Sequence, residues 1–324
     1  MSKARTWFTV SGILITAVLF FFALRFCTQL PEETVHKIAL ISPVHARELG
    51  EAMRLGADAA AKEFGVELVY IGLKQQDGAA QQRKAVEQAL KNDVAAVLID
   101  PADNEILEVI GELSAAKQAP VILLNDERTA KGVMAAISVD NLQAGRKAGE
   151  AMAGLLGGSG GVAVIGSELD DPDLAAREAG LREAIAGYPG IRVADRAVCG
   201  SSHDACWQAV MQMLGRSAVE GIIALEEAAS LGAVKEAQRR GIAGTLKIVT
   251  FGNEFEQLEL LQDNLIQKTV VQSGFSVGYL GVKQAVALLN GERVNKLTRL
   301  DTRVIDSDNM FWMDNQKLLF PFVE

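Results

Sequence analysis

The 324 residues carry 32 basic and 41 acidic side chains, a formal net charge of −9. That balance argues against nucleic-acid binding, because neutralising phosphate needs a basic face. Three His residues, and three Cys residues without a CxxC spacing, leave no zinc framework, no His-built metal site and no thioredoxin-type motif. The length suits about two domains. A content of 49% hydrophobic and 23% charged residues is a globular mix with room for one membrane segment.

Residues 7–24 form an almost unbroken apolar run, close to the ~20 residues that span a bilayer. Lys3 and Arg5 precede it, which keeps residues 1–6 cytoplasmic and exports the rest, with Arg25 weakening that bias. The run exceeds the usual length of a signal-peptide core, and its end, Leu24-Arg25-Phe26-Cys27, offers no small-x-small cleavage site. Arg25 and Phe26 also stand where a lipoprotein signal places small residues before the cysteine. The expectation is an uncleaved anchor over residues 7–26 with a tether at 27–36. A cleaved signal and a lipoprotein are the alternatives.

The exported part opens with an apolar, β-branched run at 38–41, a polar stretch at 42–48, and helical spacing from about Leu49. Strand, polar loop, helix is the first βα unit of an open α/β sheet. Such sheets bind ligands beyond the carboxyl ends of their strands, which makes 42–49, with His45, Arg47 and Glu48, the first place to look for contacts. An ordinary loop with solvated charges is the competing reading.

The unit repeats. Strands are expected at 67–71, 95–99, 121–124 and 135–139, with helices at 49–64, 79–92 and 104–117 between them. Asp140-Asn141 leads into a helix at 142–156. The glycine-rich 157–161 is expected to be a turn, since no GK[ST] follows it. The cycle then restarts, with strands at 162–165, 192–198, 221–224, 247–251 and 266–271. Helices are expected at 174–186, 204–214, 228–240, 254–263 and 276–289. Alternation of this kind implies mainly parallel sheets covered on both faces, in two similar α/β halves. The tail looks irregular, but Phe311, Trp312, Leu318, Leu319, Phe320 and Phe322 should dock on the body. Trp207 and Met211, four apart on a helix, are expected to pack in the core rather than stack on a ligand. In an oxidising compartment Cys199 and Cys206 are candidates for a disulfide, with two semi-buried thiols as the alternative.

A set of short segments in fixed order resembles the type 1 periplasmic binding protein family, in its ribose-binding and Lac-repressor-core branch, over about residues 37–300. Val97-Leu98-Ile99-Asp100-Pro101 resembles the family's "linnP" strand end, and Ala119-Pro120-Val121-Ile122-Leu123-Leu124 its "ipVitld". Val139-Asp140-Asn141 resembles the "sDN" crossover, Arg177-Glu178-Ala179-Gly180 the "RxxGF" segment, Leu231-Gly232-Ala233 the "alGal" segment, and Val249-Thr250-Phe251-Gly252 "vgfD". The resemblance implies two doubly wound lobes joined by a three-segment hinge near 139–141, 272–274 and 300–304. One lobe would comprise 37–139 plus 273–300, the other 140–272 plus 301–324, with ligand between them.

Carried over position by position, Arg177 falls on the family's ligand-binding arginine and Gln272 on its crossover glutamine. The family's Asp-Arg pair after the fourth strand appears as Asn125-Asp126, and its later Asn-Asp pair as Glu226-Glu227. The aspartate of "gfD" is replaced by Gly252, with Asn253 beside it. The first loop offers His45, Arg47 and Glu48 where the family has paired aromatics. Other readings stay open. Arg177 could pair with Asp173 or Glu178, Glu226-Glu227 could favour a helix N-terminus, and Gln272 could be only a hinge residue. Asp140 and Asn141 are expected to be crossover hydrogen-bonders.

These departures imply a small polar ligand other than ribose: a sugar, a polyol or an amino sugar. The resemblance implies capture for an ABC permease, with a sensor histidine kinase or receptor as the alternative partner. Neither a cofactor nor a metal is implied. No nucleophile elbow or nucleotide fingerprint suggests an enzyme.

Overall fold

Runs such as Ala96–Ile99 and Val121–Leu124 are buried at every position, the pattern of strands covered on both faces. The computed structural model describes residues 35–43, 47–73, 78–102, 104–128, 130–167, 171–200 and 202–320, with backbone only at 43, 47, 48 and 104. The apolar run at 7–24 lies outside them. Among the described residues no helix is long and apolar enough to cross a membrane.

Residues 37–43 form β1, followed by α1 (Arg47–Phe64), β2 (Glu67–Leu73), α2 (Ala79–Lys91) and β3 (Ala96–Ile99). Then come α3 (Asn104–Lys117), β4 (Val121–Leu124) and β5 (Val133–Val139). The chain continues through α4 (Asn141–Leu155), β6 (Ser159–Gly166), α5 (Pro172–Ala186), β7 (Gly190–Val198), α6 (His203–Arg216) and β8 (Gly221–Ala224). Next are α7 (Glu227–Arg240), β9 (Lys247–Phe251), α8 (Phe255–Gln262), β10 (Lys268–Val271) and α9 (Gly274–Leu289). It ends in β11 (Leu297–Leu300), β12 (Arg303–Ile305) and α10 (Met313–Leu319).

Two six-stranded sheets result, in the orders β11-β5-β4-β3-β1-β2 and β12-β10-β9-β8-β6-β7. Each has the same doubly wound order, and all neighbours are parallel except β10 and β12. The chain passes between the sheets three times: at Asp140, at Gln272–Ser273, and at Asp301–Thr302. Each sheet has an apolar core on both faces. Ile38, Leu40 and Leu98 pack under α1 and α9, and Ile41, Val97 and Ile99 under α2 and α3. In the second lobe Val162, Val164 and Val249 pack under α4 and α5, while Ile165, Ile222 and Ile248 pack under α6 and α7.

The two lobes also share a way of packing helices. A Cβ on Gly278 of α9 would lie 1.8 Å from the Met53 carbonyl oxygen of α1, and one on Gly56 would lie 1.9 Å from that of Phe275. In the second lobe a Cβ on Gly145 of α4 would meet the Arg177 carbonyl at 2.0 Å, and one on Gly180 of α5 would meet that of Leu142 at 1.9 Å. Backbone touches backbone at both crossings, so neither can yield by turning a side chain.

Several details differ from the sequence reading. The glycine-rich segment is already strand from Ser159, because Gly160 and Gly161 pair with Ile191 and Arg192 of β7. Helix α1 starts at Arg47, placing Arg47 and Glu48 in its first turn rather than in the preceding loop. The tail contains two strands and a helix. Met310 and Leu319 enter the core and Phe320 packs against it, yet Phe311 and Trp312 remain exposed, and Phe322 lies outside the described residues. Met211 is exposed at the surface. Trp207 lies against α7, its Nε1 donating to Glu236 Oε2 at 3.0 Å, with Lys235 Nζ 3.8 Å above its ring. Cys199 and Cys206 are joined in a disulfide with a Cα–Cα distance of 4.7 Å.

Gly278→Ala is expected to destabilise by about 1–3 kcal/mol through overpacking, lowering Tm by roughly 3–10 °C. Gly154→Ala, on an exposed turn of α4 with nothing within 4 Å of the new methyl, should leave Tm unchanged or raise it slightly. Thermal unfolding followed by circular dichroism measures both.

Candidate functional site

The loops at the carboxyl edges of the two sheets enclose a polar cleft of about 1,070 Å³. A recess of about 200 Å³ lies beside it against β9 and β10. Leu49 lines both, so the start of α1 faces the site. His45 lies outside the described residues, as do the side chains of Arg47 and Glu48.

On the first lobe, Asp100 follows the last residue of β3. Its backbone N–H continues the ladder to Ile41 O at 3.0 Å. The buried side chain of Gln82 fixes this turn, donating to Asp100 O at 2.7 Å and accepting from Ala102 N at 2.8 Å. Asn125 follows β4 in the left-handed region at φ +54°, which asparagine tolerates better than most residues. Its Nδ2 reaches Asp100 Oδ2 at 3.3 Å, and its Oδ1 is buried without a hydrogen-bond partner. Asp126 is held by Arg128, whose Nε lies 2.8 Å and 3.0 Å from the two carboxylate oxygens and whose amide N–H donates to Oδ1 at 2.7 Å. Glu127 forms a fork with Arg299 of β11 at 2.8 and 2.9 Å.

On the second lobe, α5 points its N-terminus into the cleft. Asp171 caps it by accepting from Asp173 N at 2.8 Å, and Pro172 stands in the first helical turn. Arg177 lies one turn further along. Its Nε donates to Asn141 Oδ1 at 2.8 Å, one terminal nitrogen donates to Leu225 O at 3.0 Å, and its carbon sits 4.8 Å from the centre of the Phe251 ring. Arg177 therefore faces the cleft. Glu178 turns away to Arg182 and Arg196. Glu226 occupies the N-cap position of α7 without capping it; its Oε1 accepts from Ser167 N at 2.7 Å and ties the ends of β6 and β8 together. Gly252 has φ +105°, and a Cβ there would meet Gln257 Oε1 at 2.8 Å. An aspartate would be strained at this point, and Asn253 lines the recess.

Of the residues expected from sequence, Asn125, Asp126, Arg177 and Gln272 line the cleft, and Glu226, Asn253, Arg177 and Gln272 line the recess. Asp126 lines the cleft with its carboxylate paired to Arg128. Asp140 caps α4 through Gln143 N at 2.9 Å and Asn141 holds Arg177, matching the expectation of hydrogen-bonding crossover residues. Sequence reasoning did not select Asp100, Asp173 or Arg128 for the site. The position of Asp100 directly after an apolar strand was the available signal. Among the described residues no group of three or more His, Cys, Asp and Glu side chains could hold a metal ion.

Burial raises the Asp100 carboxyl from its ordinary 3.8 to about 7; the Asn125 hydrogen bond opposes this, and Asp126 and Asp173 add to it. Burial likewise raises Asp173 to about 6, against the pull of Arg177. Burial also lowers the Arg177 pKa, with Asp173, Asp171 and Glu226 opposing.

A polar cleft between two doubly wound lobes, walled by the loops of both, defines a two-lobe binding protein. A family model described as a periplasmic binding protein domain matches residues 38–293, and the chain belongs to that family. It is 26% identical over 301 residues to the D-ribose/D-allose-binding protein of Pseudomonas aeruginosa, covering 87% of this chain and 91% of the relative. It is 24% identical over 291 residues to the D-apiose import binding protein of Paraburkholderia graminis, covering 88% of each. Among solved structures, a sugar-binding protein of a sugar ABC transporter from Bacillus halodurans superposes with a TM-score of 0.80 at 21% identity, over 85% of this chain and 98% of that one.

The stability of the ligand-free protein should fall as pH rises. A raised carboxyl contributes stability that is complete below about pH 4 and lost as pH climbs through the folded value, here about 7 for Asp100. Asp100→Asn should flatten this slope and be the more stable form at pH 8. The gain is on the order of 2 kcal/mol after allowing for screening in an open cleft. Urea unfolding at pH 5 and pH 8 checks the sign.

Proposed function

We propose that this protein is an extracytoplasmic solute-binding protein that captures a small, sugar-like ligand between its lobes for uptake by an ABC permease. The observation that carries this reading is the cleft itself. Its walls come from both lobes, and planar hydrogen-bonding groups converge on it: Asn125 and Asp100 from one side, Arg177 and Asn141 from the other. Such groups suit vicinal hydroxyls. The relatives named as ribose/allose- and apiose-binding proteins support a carbohydrate ligand.

The mechanism proposed is hinge closure of the two lobes around the ligand, the mode of periplasmic binding proteins. Ligand bridges the lobes about the three connecting segments. It shifts the equilibrium toward the closed form only by its difference in affinity for the two forms. Arg177, braced by Asn141 and Phe251, and Gln272 in the second connection are assigned to ligand contact. Asn253 and Glu226 are assigned to the recess, Asn125 to the opposite wall, and Asp126 to holding Arg128 in place.

The apolar run at 7–24 supports a membrane-tethered form. It also favours a second reading, in which the closed form reports ligand to a membrane sensor histidine kinase. Deleting the gene, then following ligand uptake separately from ligand-induced transcription, separates the two. Intact mass of the membrane fraction should show residues 1–36 retained; a mature form beginning near residue 27 would sink the uncleaved anchor.

A saturating ligand, at about 1,000 times its Kd, should stabilise by about 4 kcal/mol and raise Tm by roughly 8–16 °C. Arg177→Ala should lose at least about tenfold in affinity, since a charge-assisted hydrogen bond contributes about 1.5–3 kcal/mol. A thermal-shift screen of sugars and polyols, followed by calorimetry, measures both. A folded protein that shifts with no member of the panel would defeat the reading.

A further inference from the structure

The described lining of the cleft holds six carboxyl groups and three guanidinium groups. Two of the three guanidinium groups are matched within their own lobe: Arg128 with Asp126 and Arg299 with Glu127. The third, Arg177, gives two of its five donors to Asn141 and Leu225 and, among the described residues, forms no ion pair within bonding distance. Asp140 and Asp171 cap helices. Two carboxyls are left over, one from each lobe. Among the described residues, Asp173 forms no hydrogen bond or ion pair through its carboxylate, and Asp100 meets only the Asn125 amide at 3.3 Å. The neighbouring Asn125 Oδ1 is a further buried acceptor without a donor. Among the described residues, two carboxyls, one on each wall of the same cleft, are therefore left without a basic side chain bonded to them.

We propose that the ligand carries a primary amine on a polyhydroxylated frame, an amino sugar or amino polyol, and that its ammonium group binds between Asp100 and Asp173. The inference rests on the sugar-like reading of the same cleft and narrows it. An ammonium has three donors and no acceptor, which complements this set. A hydroxyl brings one donor and would leave acceptors unmatched at a cost of about 1–3 kcal/mol each.

The surrounding charges fix how pH acts. Asp100 faces Asp126, Asp173 and Arg128, while Asp173 faces Arg177, Asp171, Asp126 and Glu127. Both carboxyls hold protons more tightly than usual when no cation is near. An ammonium favours their ionised forms, so its binding expels protons and its affinity rises between about pH 5 and about pH 7. A neutral sugar that accepts hydrogen bonds from the protonated carboxyls shows the opposite slope.

Calorimetry on the full-length protein with matched pairs decides: 2-amino-2-deoxyglucose against glucose, 2-amino-2-deoxygalactose against galactose, and glucamine against glucitol. The expected result is an amine that binds about tenfold or more tightly than its hydroxyl partner. Its affinity should rise from pH 5 to pH 7, with proton release seen as a buffer-dependent heat. Asp173→Asn should remove most of that preference and most of the pH slope. Asp100→Asn should do the same while keeping the shape of the wall. Neutral members that bind as well as or better than the amines overturn this inference and leave the sugar-binding reading standing. Binding by no member overturns both.

Discussion

Parallel pairing is the constraint on which this molecule depends. In a parallel sheet every strand ends at the same edge, so every loop that follows a strand gathers there. The chain leaves the first sheet from the ends of β5 and β11, and leaves the second from the end of β10. Those are the loop-bearing edges. Because the connections span only one or two residues each, the two edges must face each other at short range. Asp100, Asn125 and Asp126 on one side and Asp173, Arg177 and Glu226 on the other converge because of strand direction, although they are spread over 127 positions of chain.

The helix crossings carry that constraint to the level of single atoms. The backbone contact between Gly145 of α4 and the carbonyl of Arg177 of α5 seats the guanidinium beside Asn141, four residues before that glycine. Packing in the second lobe and the placement of its principal cationic group are thus one feature. The guanidinium is half-buried, and removing it from water is offset by a carbonyl, an amide oxygen and the Phe251 ring face. The first lobe repeats the glycine crossing at Gly278 and Gly56 but places no arginine there. Its cation, Arg128, sits in the loop after β4 and is neutralised locally by Asp126. The fold is duplicated while the charges are not.

Legibility in the sequence followed the range of the interaction. Strands buried on both faces left continuous apolar runs, and long amphipathic helices left their spacing, so all of the elements through α9 were readable to within a few residues. The tail was not. The four residues of β11 are half-exposed at a sheet edge, β12 has three residues, and α10 has seven, too few turns or alternations for a period to register. Site residues divided in the same way. That Arg177 and Gln272 line the cleft was legible from the segments that carry them. Asp173 read as the first turn of a helix, which it is, and its place in the cleft lining comes from lobe-to-lobe proximity that no local pattern records. The pairing of Asp126 with Arg128 two residues on belongs to loop conformation rather than to periodicity, so no sequence pattern records it.

The distribution of charge also bears on the relation between the lobes. Asp100 belongs to one lobe and Asp173 to the other, and the charge of Asp173 adds to the proton affinity of Asp100, so they repel when both are ionised. Arg177 attenuates this from the side of α5, and Arg128 from the side of the β4 loop. Repulsion between groups on opposite lobes is work done against bringing the lobes together, whereas repulsion within one lobe is not. Protons or a cation that relieve it therefore act on the spacing of the lobes as well as on the site. Such relief favours whichever arrangement holds the two carboxyls closest, by the difference in binding free energy between arrangements and by no more than that.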